Sequence, residues 1–112
     1  MYHVIFHLDE TSKKVLTLQN IANLLLAFGA SEVTIELLVN GEAVKAFLES
    51  DQSMRSTMLE LHKRNVIFAL CAHSLHHANI SPTDLVHFAT IVPSGVAELV
   101  EKQSQGWAYI KP

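Results

Sequence analysis

A chain of 112 residues, 49% hydrophobic and 17% charged, can bury a core of its own, which excludes intrinsic disorder and any need for a disulfide or metal staple. A formal charge of −3, with eight lysines and arginines scattered along the sequence, excludes a nucleic-acid-binding surface. The first apolar run has no basic segment before it and none approaches the roughly 20 residues that span a bilayer, which predicts a cytoplasmic protein without a membrane partner.

Residues 1–112 read as one domain. Tyr2 to Leu8 is β-rich and apolar and predicts a first strand. Polar Asp9-Glu10-Thr11-Ser12 predicts a capped turn. Val15, Leu18, Ala22, Leu25 and Leu26 then recur at helical spacing up to Gly29. Val33 to Val39 is too short and too β-branched for a helix, and Asn40-Gly41 punctuates its end, so a second strand is predicted. A short helix over Glu42 to Leu48 follows, then a helix capped by Ser53 with Met54, Met58 and Leu61 on one face, finishing near Asn65.

Val66 to Leu70 predicts the third strand and Ser74 to Asn79 a short helix. Ser81-Pro82-Thr83-Asp84 combines an N-cap residue, a proline at the first helical position and an early acid, the start of another helix. Phe88 to Val92 is a fourth strand and Pro93-Ser94-Gly95 turns the chain. Val96, Leu99, Val100 and Gln103 share a helix face up to Gly106, and Trp107 to Ile110 forms a short fifth strand. Strands that alternate with helices and are apolar on both faces predict an α/β fold, a three-layer α/β/α arrangement with a mostly parallel five-stranded sheet. The high apolar share on so short a chain predicts an oligomer.

In such sheets ligands bind outside the carboxyl ends of the strands. Cys71, the only cysteine, falls at that edge, with Asp9, Asn40, Gly41, Pro93 and Ser94 as candidate neighbours. A lone cysteine closes no internal disulfide, so it is a packing residue or a reactive thiol. Its place before a helix favours the second, because free N–H groups stabilise a thiolate there. Leu8-Asp9-Glu10-Thr11-Ser12 has no glycine, which excludes a phosphate cradle after the first strand. Phosphoryl acceptance would need an aspartate where Cys71 stands, and a thioredoxin-type dithiol needs a second cysteine.

His73, His76 and His77 stand at i, i+3 and i+4 and, with Cys71, offer ligands that zinc or copper accepts. All come from one segment, whereas metal sites usually draw on two, so surface or interface histidines are expected and no metal or other cofactor is called for. His3 and His7 read as packed or interfacial, and His62 and His87 carry no motif.

The C-terminal run Val92-Pro93-Ser94-Gly95-Val96-Ala97-Glu98-Leu99-Val100, continuing through Lys102-Gln103 to Gly106-Trp107-Ala108-Tyr109-Ile110-Lys111-Pro112, resembles the DsrE/DsrF-like sulfur-relay family. Asn20-Ile21-Ala22-Asn23-Leu24, the glycine after the second strand, and Cys71 before Ser74-Leu75 add to a likeness that spans nearly the whole chain. The resemblance implies a small α/β protein that assembles as a homotrimer or homohexamer. It implies a persulfide on the cysteine matching Cys71, exchanged with sulfur donor and acceptor proteins. Asn40 and Gly41 occupy the turn where relatives often place a histidine before glycine. His73 stands where a small polar residue is expected, so Asn40, Gly41, His73 and Ser74 are the residues expected to shape the surroundings of Cys71. The competing expectation is a non-catalytic oligomeric module of the same fold that binds a partner or small ligand.

Overall fold

The computed structural model describes all 112 residues. Five strands, β1 (Tyr2–Leu8), β2 (Val33–Val39), β3 (Ile67–Cys71), β4 (Ala89–Val92) and β5 (Ala108–Ile110), form one sheet in the order β4-β3-β2-β1-β5. Every pairing is parallel. Helices α1 (Lys14–Phe28), α2 (Arg55–Lys63), α3 (Ala72–His77) and α4 (Gly95–Ser104) complete three layers, with 3₁₀ turns at Thr11–Lys13, Gly41–Phe47 and Pro82–Asp84.

The strand order makes the two outer layers unequal. From β1 to β4 the chain steps sideways one strand at a time in a single direction. Right-handed crossovers then put α1, α2 and α3 on one face. The last connection runs back across the sheet from β4 to β5, which puts α4 on the other face. The core divides accordingly. Twenty-three buried residues, including Phe6, Ile21, Phe47, Met58, Phe68 and Leu75, pack on the first face, and only Ile5, Leu38, Ala69 and Leu99 under α4.

The sequence pattern therefore overstates how apolar the second face is. His3 and His7 flank Ile5 on β1, Ile67 and Tyr109 are 39% and 40% exposed, and Val96 and Val100 of α4 stand out at 64% and 59%. In α1 the buried ridge is Lys14, Thr17, Leu18, Ile21 and Leu25, while Val15 and Leu26 face solvent.

Two predicted caps differ from the structure. No side chain caps α1, because Thr11 turns its N–H and hydroxyl to the Glu42 carboxylate. Ser53 does not cap α2; its carbonyl is held by buried Lys14 at 2.8 Å, and Met54 enters the helix with φ 61°. Arg55 instead fixes the loop through Glu49 Oε1 and the carbonyls of Glu49 and Asp51. Ser81 does accept the Thr83 N–H, but only a single 3₁₀ turn follows, and the helix predicted over Glu42 to Leu48 is likewise 3₁₀. The helix expected from Ser74 begins at Ala72, directly after β3, and ends at His77 before Asn79 takes φ 58°.

Under α4, Glu36 of β2 is 2% exposed and its Oε2 has no hydrogen-bond partner. Lys102 Nζ stands 4.0 Å from the other oxygen. Burial first, and then the neighbouring Glu98 carboxylate, push the Glu36 carboxyl from an ordinary 4.5 up to about 8, with Lys102 pulling the other way. Glu36 is thus held mostly protonated near neutral pH.

Candidate functional site

Cys71 ends β3, and α3 starts at the next residue. Strand alternation points its side chain to the same face as Ala69, beneath the start of α4, where it is 5% exposed. Ser94 sets that helix start by accepting the Ala97 N–H at 3.2 Å. A Cβ added at Gly95 would lie 3.2 Å from Asn40 Cβ, Cys71 Cβ and Leu38 Cδ1, so a glycine is what lets the first turn of α4 reach the thiol. The Gly95→Ala protein is expected to lose on the order of 1–3 kcal/mol of stability by overpacking, read from the denaturant midpoint, and to alkylate more slowly at Cys71.

From the other side comes the turn after β2. Gly41, at φ 61°, donates its N–H to Ser74 Oγ at 2.8 Å. The Ser74 oxygen is thereby engaged as acceptor, which leaves its hydroxyl proton free to turn elsewhere. Burial pushes the Cys71 thiol up, but the Ser74 hydroxyl and the backbone N–H groups of Ser74, Gly95 and His73 outweigh it and hold the thiol below the ordinary cysteine value. The shift is towards easier ionisation, and the thiolate is the nucleophilic form of a cysteine.

Asn40, Gly41, His73 and Ser74 are therefore brought together around Cys71, His73 through its main chain. Its imidazole is exposed beside those of His76 and His77, and no three side chains of histidine, cysteine, aspartate or glutamate converge to hold a metal ion. Asp9 does not join the thiol. It pairs with Lys111 at 2.8 Å, and the hydrogen bond from Lys111 outweighs burial to hold its carboxyl below the usual range.

Sequence reasoning missed three participants. Gly95 read only as part of a turn. His7 Nε2 lies 2.8 Å from Asn40 Oδ1 and its Nδ1 lies 2.7 Å from the Tyr109 hydroxyl. An amide oxygen only accepts, so Nε2 carries the imidazole proton and Tyr109 donates to Nδ1. This chain of bonds ties β5, β1 and the Asn40 turn together beside the thiol. The available signal was register: His7 is the last residue of β1 on the α4 face, at the same sheet edge as Cys71.

Comparisons with known proteins add the following. A structure of a protein of unknown function from Methanobacterium thermoautotrophicum superposes with a TM-score of 0.92 at 30% identity, covering 100% of both chains. The ychN protein of E. coli superposes at 0.83 with 16% identity, again over 100% of both chains. A conserved protein of unknown function from Bacteroides thetaiotaomicron superposes at 0.76 with 12% identity, over 98% of this chain and 94% of that one. At such identities the last two speak for the fold alone. A search of curated proteins found no match. The DsrE/DsrF-like family model matches residues 3–112, the span that holds the whole sheet except the start of β1, Cys71 and the Gly95 turn, and the chain belongs to that family.

Proposed function

We propose that the protein is a sulfur carrier or sulfurtransferase-like relay subunit that accepts sulfane sulfur as a persulfide on Cys71 and passes it to the thiol of a partner. Membership of the DsrE/DsrF-like family suggests sulfur relay in general. The observation that carries the specific reading is the place of the only thiol of the chain, at the end of β3, directly before α3 and under Gly95, where Ser74 and the main chain of Ser74, Gly95 and His73 favour its ionised form. The Cys71 thiolate attacks the outer sulfur of a donor persulfide, the donor thiolate departs with the electrons of the broken S–S bond, and an acceptor thiolate later repeats the attack on Cys71. With no second cysteine nearby, the carried sulfur is not released as sulfide by disulfide closure.

Incubation with a persulfide donor is expected to raise the intact mass by one sulfur atom per chain, reversibly with excess thiol. The Cys71→Ser protein should not gain it, and His76→Ala and His77→Ala should. A second reading, in which the fold is a non-catalytic partner-binding or ligand-binding module and Cys71 merely packs, draws on the 5% exposure of the thiol. No mass gain on the folded protein favours that reading.

We place the protein in the cytoplasm, where a free thiol stays reduced; no helix is long and apolar enough to cross a membrane. We also assign it a closed homo-oligomer, a trimer or hexamer by family likeness, joined through the thinly covered α4 face. Val96 and Val100, four residues apart on α4, stand exposed there with Ile67 and Tyr109. Light scattering at micromolar concentration is expected to give a trimer or larger, and Val96→Glu with Val100→Glu to give smaller species. A wild-type monomer contradicts the assignment.

A further inference from the structure

Helix α4 covers two buried titratable groups at once, Cys71 under its first turn and Glu36 under the turns that follow. It turns Gly95, Glu98, Leu99 and Lys102 towards the sheet, at i, i+3, i+4 and i+7, and Leu99 is the one apolar side chain among them. Beneath it the buried core is only Ile5, Leu38 and Ala69. So little apolar burial makes α4 the element that separates most readily from the sheet.

The Glu36 carboxyl lies in this seam with Oε2 unpartnered and Lys102 Nζ 4.0 Å from Oε1. Glu98 and Lys102 face it from α4. On β1, His3 and His7 flank Ile5, the residue opposite Glu36 in register, and on β5 Tyr109 stands opposite Ile5. On β3 the residue opposite Glu36 is Ile67, and the one titratable group on that face of the strand is Cys71 at its end. None of these donates to Oε2. His7 and Tyr109 are bonded to each other and to Asn40, His3 packs against Trp107, and the Lys102 ammonium lies over the same indole, 4.7 Å from its centroid. A carboxylate at Glu36 therefore has no donor in contact while α4 stays down, and exposure to water removes that cost.

We propose that α4 is a pH-sensitive cover of Cys71: ionisation of Glu36 loosens the helix from the sheet, and the thiol under its first turn becomes more accessible as pH rises through neutrality. The closed form holds the Glu36 carboxyl at about 8, and lifting α4 returns it to water and towards its ordinary 4.5. Opening then releases a proton, so the open fraction climbs with pH between about 4.5 and 8, by up to tenfold per unit, and levels off above that window. The inference goes beyond the sulfur-carrier reading, because it concerns access to a thiol that is 5% exposed, whatever reacts there. Val96 and Val100 lie on the outer side of the same helix, so assembly through them opposes lifting and all rates are compared at one protein concentration.

The test is alkylation of folded wild-type and Glu36→Gln proteins by neutral iodoacetamide from pH 5.5 to 8.5. Titration of the thiol is common to both and divides out of their rate ratio. The ratio of wild type to Glu36→Gln is expected to rise at least tenfold between pH 5.5 and 8, and Glu98→Gln, which removes the neighbouring charge, to reduce the rise. Gly95 is left unchanged, because an added Cβ would act on the thiol and the helix together. Below the unfolding transition the wild-type rate should depend only weakly on urea, and α4 amides should exchange with less protection than those of α1, as a local opening requires. A ratio that stays within twofold, a urea dependence equal to that of global unfolding, or no reaction of the folded protein at any pH overturns the inference. Sulfur loading is read separately: a Cys71 that loads while the ratio stays flat leaves the carrier reading standing and removes only the cover.

Discussion

Replacing Glu36 with glutamine is expected to raise the unfolding free energy by roughly 3 kcal/mol near pH 7 and to change it little below about pH 4. The reason is the carboxyl pinned under α4, 2% exposed, with one oxygen unpartnered and Glu98 beside it. Its folded value of about 8 lies above the ordinary 4.5, so between those limits the folded chain binds more protons than the unfolded one. Stability is then fully present below about pH 4.5 and drains away as pH rises towards about 8. Glutamine keeps the shape and has no proton to lose. Urea unfolding at fixed protein concentration across that window measures the effect. Equal pH slopes for the two proteins would mean that Glu36 is ionised in the fold and stabilised by Lys102.

The Ser74→Ala protein is expected to alkylate at Cys71 with its midpoint moved to higher pH and its rate near neutrality reduced roughly tenfold for each unit of that movement. Both the hydroxyl and the main-chain N–H of Ser74 pull the Cys71 thiol down, and only the hydroxyl is lost. The change also strands the Gly41 N–H, which now donates to Ser74 at 2.8 Å and holds the turn after β2 against α3. Retention of the wild-type midpoint would show that the main-chain donors alone set the thiol. Reaction in both proteins only after denaturation would make Cys71 a packing residue.

The strands and the edge position of Cys71 were legible because both are written locally: short β-branched runs, glycines and Asn-Gly punctuating them, and a cysteine at the end of the third run. The order of the strands was not. Nothing near Ala108–Ile110 says that β5 lies against β1, and that one placement sends α4 alone to the second face and leaves Val96 and Val100 exposed although helical spacing puts them on one face with Leu99. Ser53 failed as a cap because Met54, in the left-handed region at φ 61°, takes the N-cap position between it and the helix. Around the thiol, Asn40 and Gly41 followed from the sheet edge and Ser74 from the family resemblance, whereas His7 and Gly95 act through contacts across 33 and 24 positions that no local pattern encodes.

Sulfur balance in a single turnover tests the central assignment most directly. The protein is loaded from a persulfide donor, freed of donor, and mixed with a thiol-bearing acceptor while intact masses of both are followed. The account predicts that one sulfur per chain leaves Cys71 and that the acceptor gains a matching amount, with none carried by the Cys71→Ser protein. A native protein that never loads, or that loses its sulfur only as free sulfide with no gain on the acceptor, contradicts it.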